Sequence, residues 1–365
     1  GWINAIIPIL IVPYYSVIGG WVIKYLIEYF AGHSKTLAGD AYFTTFISNG
    51  WSTEICFIIF TLFTLGIIYA GVRNGIERVS KFMMPILIVL SLIIAVYSVT
   101  RPGAIEGVKY FLVPNFDHFS WMTVVSAMGQ MFYSLSIAMG ILITFGSYMK
   151  KDTSIEKSTE NVEIFDTAIA IMAGLMIIPA VFAFSGGNAE TLKSGPALMF
   201  ITIPKVFANM GFGTAIGVVF FLLVLFAAVT SSIALTESAV STFEDELHWS
   251  RKKSTVFMGM VMLLLGTLSC LGYGPLANFK ILGMQFLDFF DFITNSVMMP
   301  IAAIATCLLV SKVVGVDKIE EEIKKDGQAF RRKKIFCFMI KYLCPLFAAI
   351  ILISSVANAF GIITM

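Results

Sequence analysis

Long apolar runs recur from one end of this chain to the other, and nothing else constrains its fold as strongly. About nine are long enough to cross a hydrocarbon core of roughly 30 Å, near residues 2–30, 51–72, 82–100, 121–148, 162–184, 212–240, 255–272, 285–311 and 335–361. Inside lipid each backbone N–H and C=O needs a partner within the protein, so runs of this length must be helical. They are too long for barrel strands and lack the alternation of polar and apolar residues that a barrel requires. The chain is therefore expected to be all-α, a polytopic membrane helical bundle forming one transmembrane domain over 1–365. Length alone would suggest two or three soluble domains, but 58% hydrophobic and 13% charged residues set that prior aside.

Basic residues give the expected orientation. Loops after the second, fourth, sixth and eighth spans carry Arg73, Arg78 and Lys81; Lys150, Lys151 and Lys157; Arg251, Lys252 and Lys253; and a run from Lys312 to Lys334. The intervening loops hold only Lys35, then Arg101 and Lys109, then Lys193 and Lys205, then Lys280. The positive-inside rule places the first set in the cytoplasm, with Gly1 inside and Met365 outside. On this reading the basic run is a topology signal, and no nucleic-acid partner is expected.

The remaining composition excludes several chemistries. Cys56, Cys270, Cys307, Cys337 and Cys344 show no metal-ligand spacing and read as packing residues. His33, His118 and His248 fall near span ends or in loops. No catalytic triad, phosphate loop or cofactor fingerprint is present, so no enzyme is expected.

Two spans carry polar chemistry at membrane depth. GQMFYSLSIAMG (129–140) sets serines and glycines in the middle of the fourth, where local unwinding would free backbone groups to bind an ion or a zwitterion. The same residues would also suit a straight helix packed closely on a neighbour. LFAAVTSSIALTESAVSTFEDEL (225–247) places Thr230 and Ser231 beside backbone carbonyls in the sixth. Such hydroxyls can ligate a hard cation, but in a helix they often bond the carbonyl one turn back, and taken in isolation they read that way.

GQMFYSLSIAMG followed by SYMKKD resembles the sixth helix of the neurotransmitter:sodium symporters, and TSSIALTESAVSTFEDEL resembles their eighth. Tyr14-Tyr15 with Trp21 is similar to the third, and FDTAIAIMAGLMIIPAVFAF (165–184) to the seventh. The order is preserved over nearly the whole chain. The resemblance implies a leucine-transporter-like inverted-repeat fold. On that register these are family helices three to eleven of a bacterial eleven-helix member, and the first two helices would precede Gly1.

Site residues follow from the resemblance. Tyr15 matches the tyrosine that meets a substrate carboxylate, Tyr133 an aromatic lid, and Ile11, Ser136, Met139 and Leu235 the walls of an apolar pocket, with Ser134 and Ser231 beside it. Two sodium sites are implied: Ser134 and Asp166 at the first, and the Ala227 carbonyl with Thr230 and Ser231 at the second. Asp166 departs from the asparagine common there, and Ala170 replaces the serine of chloride-dependent relatives, so chloride is not expected. Asp291 matches an outer gate carboxylate and Asp245 an inner one. Gly75 and Pro85, with nine residues between them, resemble a motif that lets the inner end of the third span unwind, and an ordinary proline kink is the competing account. Residues 185–211 resemble an extracellular lid. The implied function is sodium-coupled symport of amino acids, hydrophobic or aromatic, across a bacterial inner membrane, with no obligatory protein partner. The alternatives are a non-transporting amino-acid-binding membrane sensor and a sodium-conducting channel.

Overall fold

The computed structural model describes residues 1–192, 195–325 and 329–362, with His118 described by its backbone alone. Lys193 of the expected lid lies outside these residues. Among them, regular structure is helical, and the nearest approach to a strand is one isolated bridge between Ile281 and Met284. Eight unbroken helices among the described residues are long and apolar enough to span a membrane: α1 (Trp2–Phe30), α2 (Gly50–Tyr69), α3 (Val72–Val99), α6 (Ile155–Ser185), α8 (Gly213–Leu247), α9 (Arg251–Leu271), α10 (Phe286–Val314) and α12 (Lys333–Ala359). The remaining expected span, the fourth, is split into α4 (Trp121–Ser134) and α5 (Ile141–Ser147). Shorter helices α7 (Gly195–Ala208) and α11 (Val316–Lys324) lie in the connections.

Helix starts follow their capping residues. Asn49 accepts the Ser52 amide at α2, Ser154 the Lys157 amide at α6, and Ser120 forms a reciprocal capping box with Thr123 at α4. α1 lies at the centre, packed on α2, α8 and α9, while α3 pairs with α6 and α10 with α12. Its small residues permit the approach: a Cβ on Gly20 would stand 2.6 Å from the Phe57 backbone nitrogen, and one on Gly19 2.5 Å from the Phe60 ring. In lipid, such close packing substitutes for the hydrophobic driving force available in water.

The basic loops meet at one end of the bundle. Arg251 Nε donates to the Ile68 carbonyl at the close of α2, and Arg332 pairs with Glu160 and Glu163 near the start of α6. Lys324 of α11 and Lys333 at the start of α12 hold the Glu320 carboxyl below its ordinary range. At the opposite end α7 docks through Phe200, which is buried, stacks on Phe43 at 5.2 Å and offers its carbonyl to the Tyr25 hydroxyl at 2.8 Å. Within the expected lid segment, α7 is therefore anchored on α1, and its Lys205 pairs with Asp40. The inner end of α3 is not unwound. Val72–Glu77 forms a wide π-type turn running into Arg78–Val99, with Pro85 carried inside a continuous helix. The amides of Gly75 and Ile76 both reach the Gly71 carbonyl, so the irregularity is taken up within the turn.

Candidate functional site

The break in the fourth span organises the site. Beyond Ser134 the chain leaves the helix, and Ser136, Ala138 and Gly140 adopt positive φ of 53°, 62° and 77°. Left-handed backbone is costly for serine and alanine, and such strain is held where the surroundings over-determine it. Gly140 is required here. A Cβ would meet Ser238 Oγ at 2.8 Å and the Asn4 carbonyl at 2.9 Å, in addition to the unfavourable φ. Among the described residues the amides of Ala138 and Gly140 donate no hydrogen bond, so the break presents open polar backbone at membrane depth. This decides between the two readings of GQMFYSLSIAMG in favour of the interruption.

A cavity of about 470 Å³ opens against the break. Tyr15 from α1, Tyr133 and Ser134 from the end of α4, Ser136 and Met139 from the break, and Thr230, Ser231 and Leu235 from α8 all line it. Ile76, Met84, Ile141, Phe145, Ile233 and Ala234 make the rest largely apolar. Eight of the sequence-predicted residues, drawn from three segments distant in the chain, thus surround one space. Ser134 Oγ donates to Asp166 Oδ1 at 2.6 Å, tying α4 to α6. Thr230 Oγ1 donates to the carbonyls of Phe226 and Ala227, both at 3.0 Å, which puts the Thr230 hydroxyl beside the Ala227 oxygen. Ile11 is fully buried one turn before Tyr15 and lies outside the lining, as do Ala227 and Asp166.

Polar networks flank the cavity at both ends. Away from the basic loops, Tyr14 donates to Asp291 Oδ1 at 3.1 Å and stands 3.3 Å from Thr294 Oγ1, while Asn295 also donates to Asp291. Tyr14 and Tyr15 therefore divide their work: the first holds α10 and the second faces the cavity. At the basic end, Asp245 is exposed and borders a cavity of about 240 Å³ lined by Asn4, Gly140, Thr144, Ser238 and Glu246. Beside it lies a network that sequence reasoning missed. Glu237, 0% exposed, takes both guanidinium nitrogens of Arg251 at 3.0 and 2.5 Å and the Tyr148 hydroxyl at 2.7 Å. A signal was available, since an ionised carboxyl inside a membrane span must find a partner. Its partners lie on other helices, and no local spacing names them.

Known proteins resemble this chain over most of its length. Residues 44–362 match the model of the sodium:neurotransmitter symporter family. The chain belongs to that family. As a sodium:neurotransmitter symporter it is a sodium-dependent, multi-pass membrane transporter and not an enzyme. It is 32% identical over 367 residues to the sodium-dependent transporter YhdH of Bacillus subtilis, covering 100% of this chain and 80% of that protein. The crystal structure of MhsT in complex with L-phenylalanine superposes with a TM-score of 0.84 at 32% identity, over 97% of this chain and 80% of that one. The leucine-transporter-like fold expected of the symporter is thereby established. A more distant symporter, the sodium- and chloride-dependent GABA transporter ine of Drosophila melanogaster, is 25% identical over 310 residues, covering 82% of this chain and 32% of that protein.

Proposed function

We propose that this symporter carries an amino acid with an apolar or aromatic side chain, together with sodium, by alternating access across a bacterial inner membrane. The observation that supports this reading is the convergence of Tyr15, the break residues Ser136 and Met139 and the hydroxyls of Thr230 and Ser231 on one cavity with otherwise apolar walls. A zwitterion needs polar groups at one end and hydrocarbon at the other. About 470 Å³ is within the range of small-molecule pockets. The Tyr15 hydroxyl would donate to the carboxylate and backbone carbonyls at the break would accept from the amino group, while Met139, Leu235 and Phe145 would enclose the side chain. The L-phenylalanine held by MhsT in its crystal structure is of this chemical class.

Sodium enters this reading as co-transported cargo held by hard oxygen donors. The Ala227 carbonyl and the Thr230 hydroxyl, adjacent at 3.0 Å, would share one ion with Ser231. Ser134 and Asp166 would share the other, so that Asp166 supplies fixed negative charge without chloride. Asp291, oriented by Tyr14 and Asn295, would close the outer side and Asp245 the inner. We place the chain at family helices three to eleven, and further groups at the site would come from the family's first two. Substrate bound beside an ion couples the two gradients, because each strengthens the other's binding by the same factor.

The test is uptake of an amino-acid panel into proteoliposomes with and without a sodium gradient, using wild type and a Thr230→Ala/Ser231→Ala variant. Saturable, sodium-dependent accumulation of apolar amino acids by wild type is expected, with loss of at least about tenfold in apparent sodium affinity in the variant from two missing cation ligands. Unchanged sodium affinity would remove both residues from the ion site.

A further inference from the structure

A second large cavity, of about 660 Å³, lies at the basic end of the bundle between α5, the start of α6 and α11. It is amphipathic. Leu142, Phe145 and Val162 form an apolar floor toward the membrane, while Lys150, Lys151 and Ser158 line its rim. Among the described residues neither lysine forms an ion pair. Glu322 on the facing wall is already bridged by Lys325 at 2.9 Å, and Glu77, the acid near Lys150, is bridged by Lys81 at 2.6 Å. Two lysine ammonium groups thus border a space whose depth is hydrocarbon-like. A small soluble anion would satisfy the lysines and leave the floor wet. An acyl chain alone would satisfy the floor and leave the lysines unanswered.

We propose that this cavity binds an anionic phospholipid of the cytoplasmic leaflet, its phosphate between Lys150 and Lys151 and an acyl chain against Leu142, Phe145 and Val162. Clustered basic residues at the cytoplasmic interface attract anionic headgroups, and the position of the rim among the basic loops matches that leaflet. The site adjoins the transport cavity. Leu142 and Phe145 line both spaces, so α5 separates lipid on one side from the transported molecule on the other. A lipid seated there would brace the inner half of the broken helix.

The test reads binding and does not depend on which substrate is carried, so its failure is separate from failure of the transport reading. The full-length protein would be purified with phosphatidylglycerol or phosphatidylcholine of identical acyl chains, and lipid retention measured by native mass spectrometry. Wild type should favour phosphatidylglycerol by about thirtyfold, the worth of two basic residues near an anionic headgroup. Lys150→Gln/Lys151→Gln should abolish the preference, Lys150→Arg/Lys151→Arg should keep it, and Val162→Phe should reduce retention of both lipids by filling the floor. Equal retention of the two lipids by wild type, or no retention of either, overturns the proposal, as does a glutamine variant that behaves like wild type. Displacement by millimolar inorganic phosphate would show a free-anion site and overturn the lipid assignment.

Discussion

At the residue scale, Asp166 carries the sharpest chemical question. A carboxylate bonded to Ser134 at 2.6 Å places fixed negative charge at the end of α4, where the proposed first sodium would sit. If it substitutes for a mobile anion, wild-type uptake should be unchanged when gluconate replaces chloride. Asp166→Asn should lower sodium-driven uptake by about tenfold or more, as expected when a charged ion ligand becomes neutral. Adding Ala170→Ser should restore uptake only with chloride present. Uptake by the native protein that needs chloride would reject the idea, and the name of the Drosophila relative shows that such dependence occurs in the family. The pair Tyr14-Tyr15 teaches a related lesson. Adjacent residues of one helix diverge by about 100°, so one hydroxyl reaches Asp291 on α10 while its neighbour faces the cavity.

At the element scale, the break between α4 and α5 depends on Gly140. Replacing it with alanine adds a Cβ within 2.8 Å of Ser238 Oγ at a φ of 77°, which should cost about 1–3 kcal/mol and pull α5 away from α8. Gly129→Ala is the control, because no atom of another element lies within 4 Å of its added Cβ. In the middle of α4 that change should be neutral or stabilising. Thermal unfolding of the two purified variants checks the contrast. A Gly140→Ala protein as stable as wild type, with unaltered uptake, would mean that the break tolerates a relaxed backbone. The two halves are held by different partners, α4 by α12 and α5 by α8, so an interruption here can act as a joint.

At the scale of the whole molecule, the Glu237–Arg251–Tyr148 network ties α8, α9 and the end of α5 together at the basic end, with Arg251 Nε also reaching the carbonyl of Ile68 in α2. Glu237 is 0% exposed while the Arg251 side chain is 22% exposed, so the two halves of the pair are not equivalent. Arg251→Gln would leave a buried carboxylate unpaired and should destabilise by about 3–5 kcal/mol. Glu237→Gln leaves the charge on the half that reaches solvent and should cost distinctly less. Melting temperatures of both variants in one detergent test the asymmetry, and equal losses would mean that Arg251 is as poorly solvated as its partner.

Much of this architecture was legible because lipid leaves a chain few choices. Runs of membrane length with no alternation can satisfy their backbone only as helices, so span number, helical class and basic loops at one end were readable from residue order alone. The hydroxyl and glycine residues in two spans pointed to segments that meet at one cavity, since polar groups at membrane depth need partners. Three-dimensional packing settled what local order left open. It showed that the fourth span is interrupted, because Ser238 and Asn4 from other helices exclude a Cβ at Gly140. It kept α3 continuous where Gly75 and Pro85 suggested unwinding, because a wide turn absorbed the irregularity. It buried Ile11 behind the cavity wall, and it paired Glu237 with Arg251 and Tyr148. Each of these outcomes depends on which side chains from distant segments share a few ångströms of space, and residue order along a single helix does not specify that.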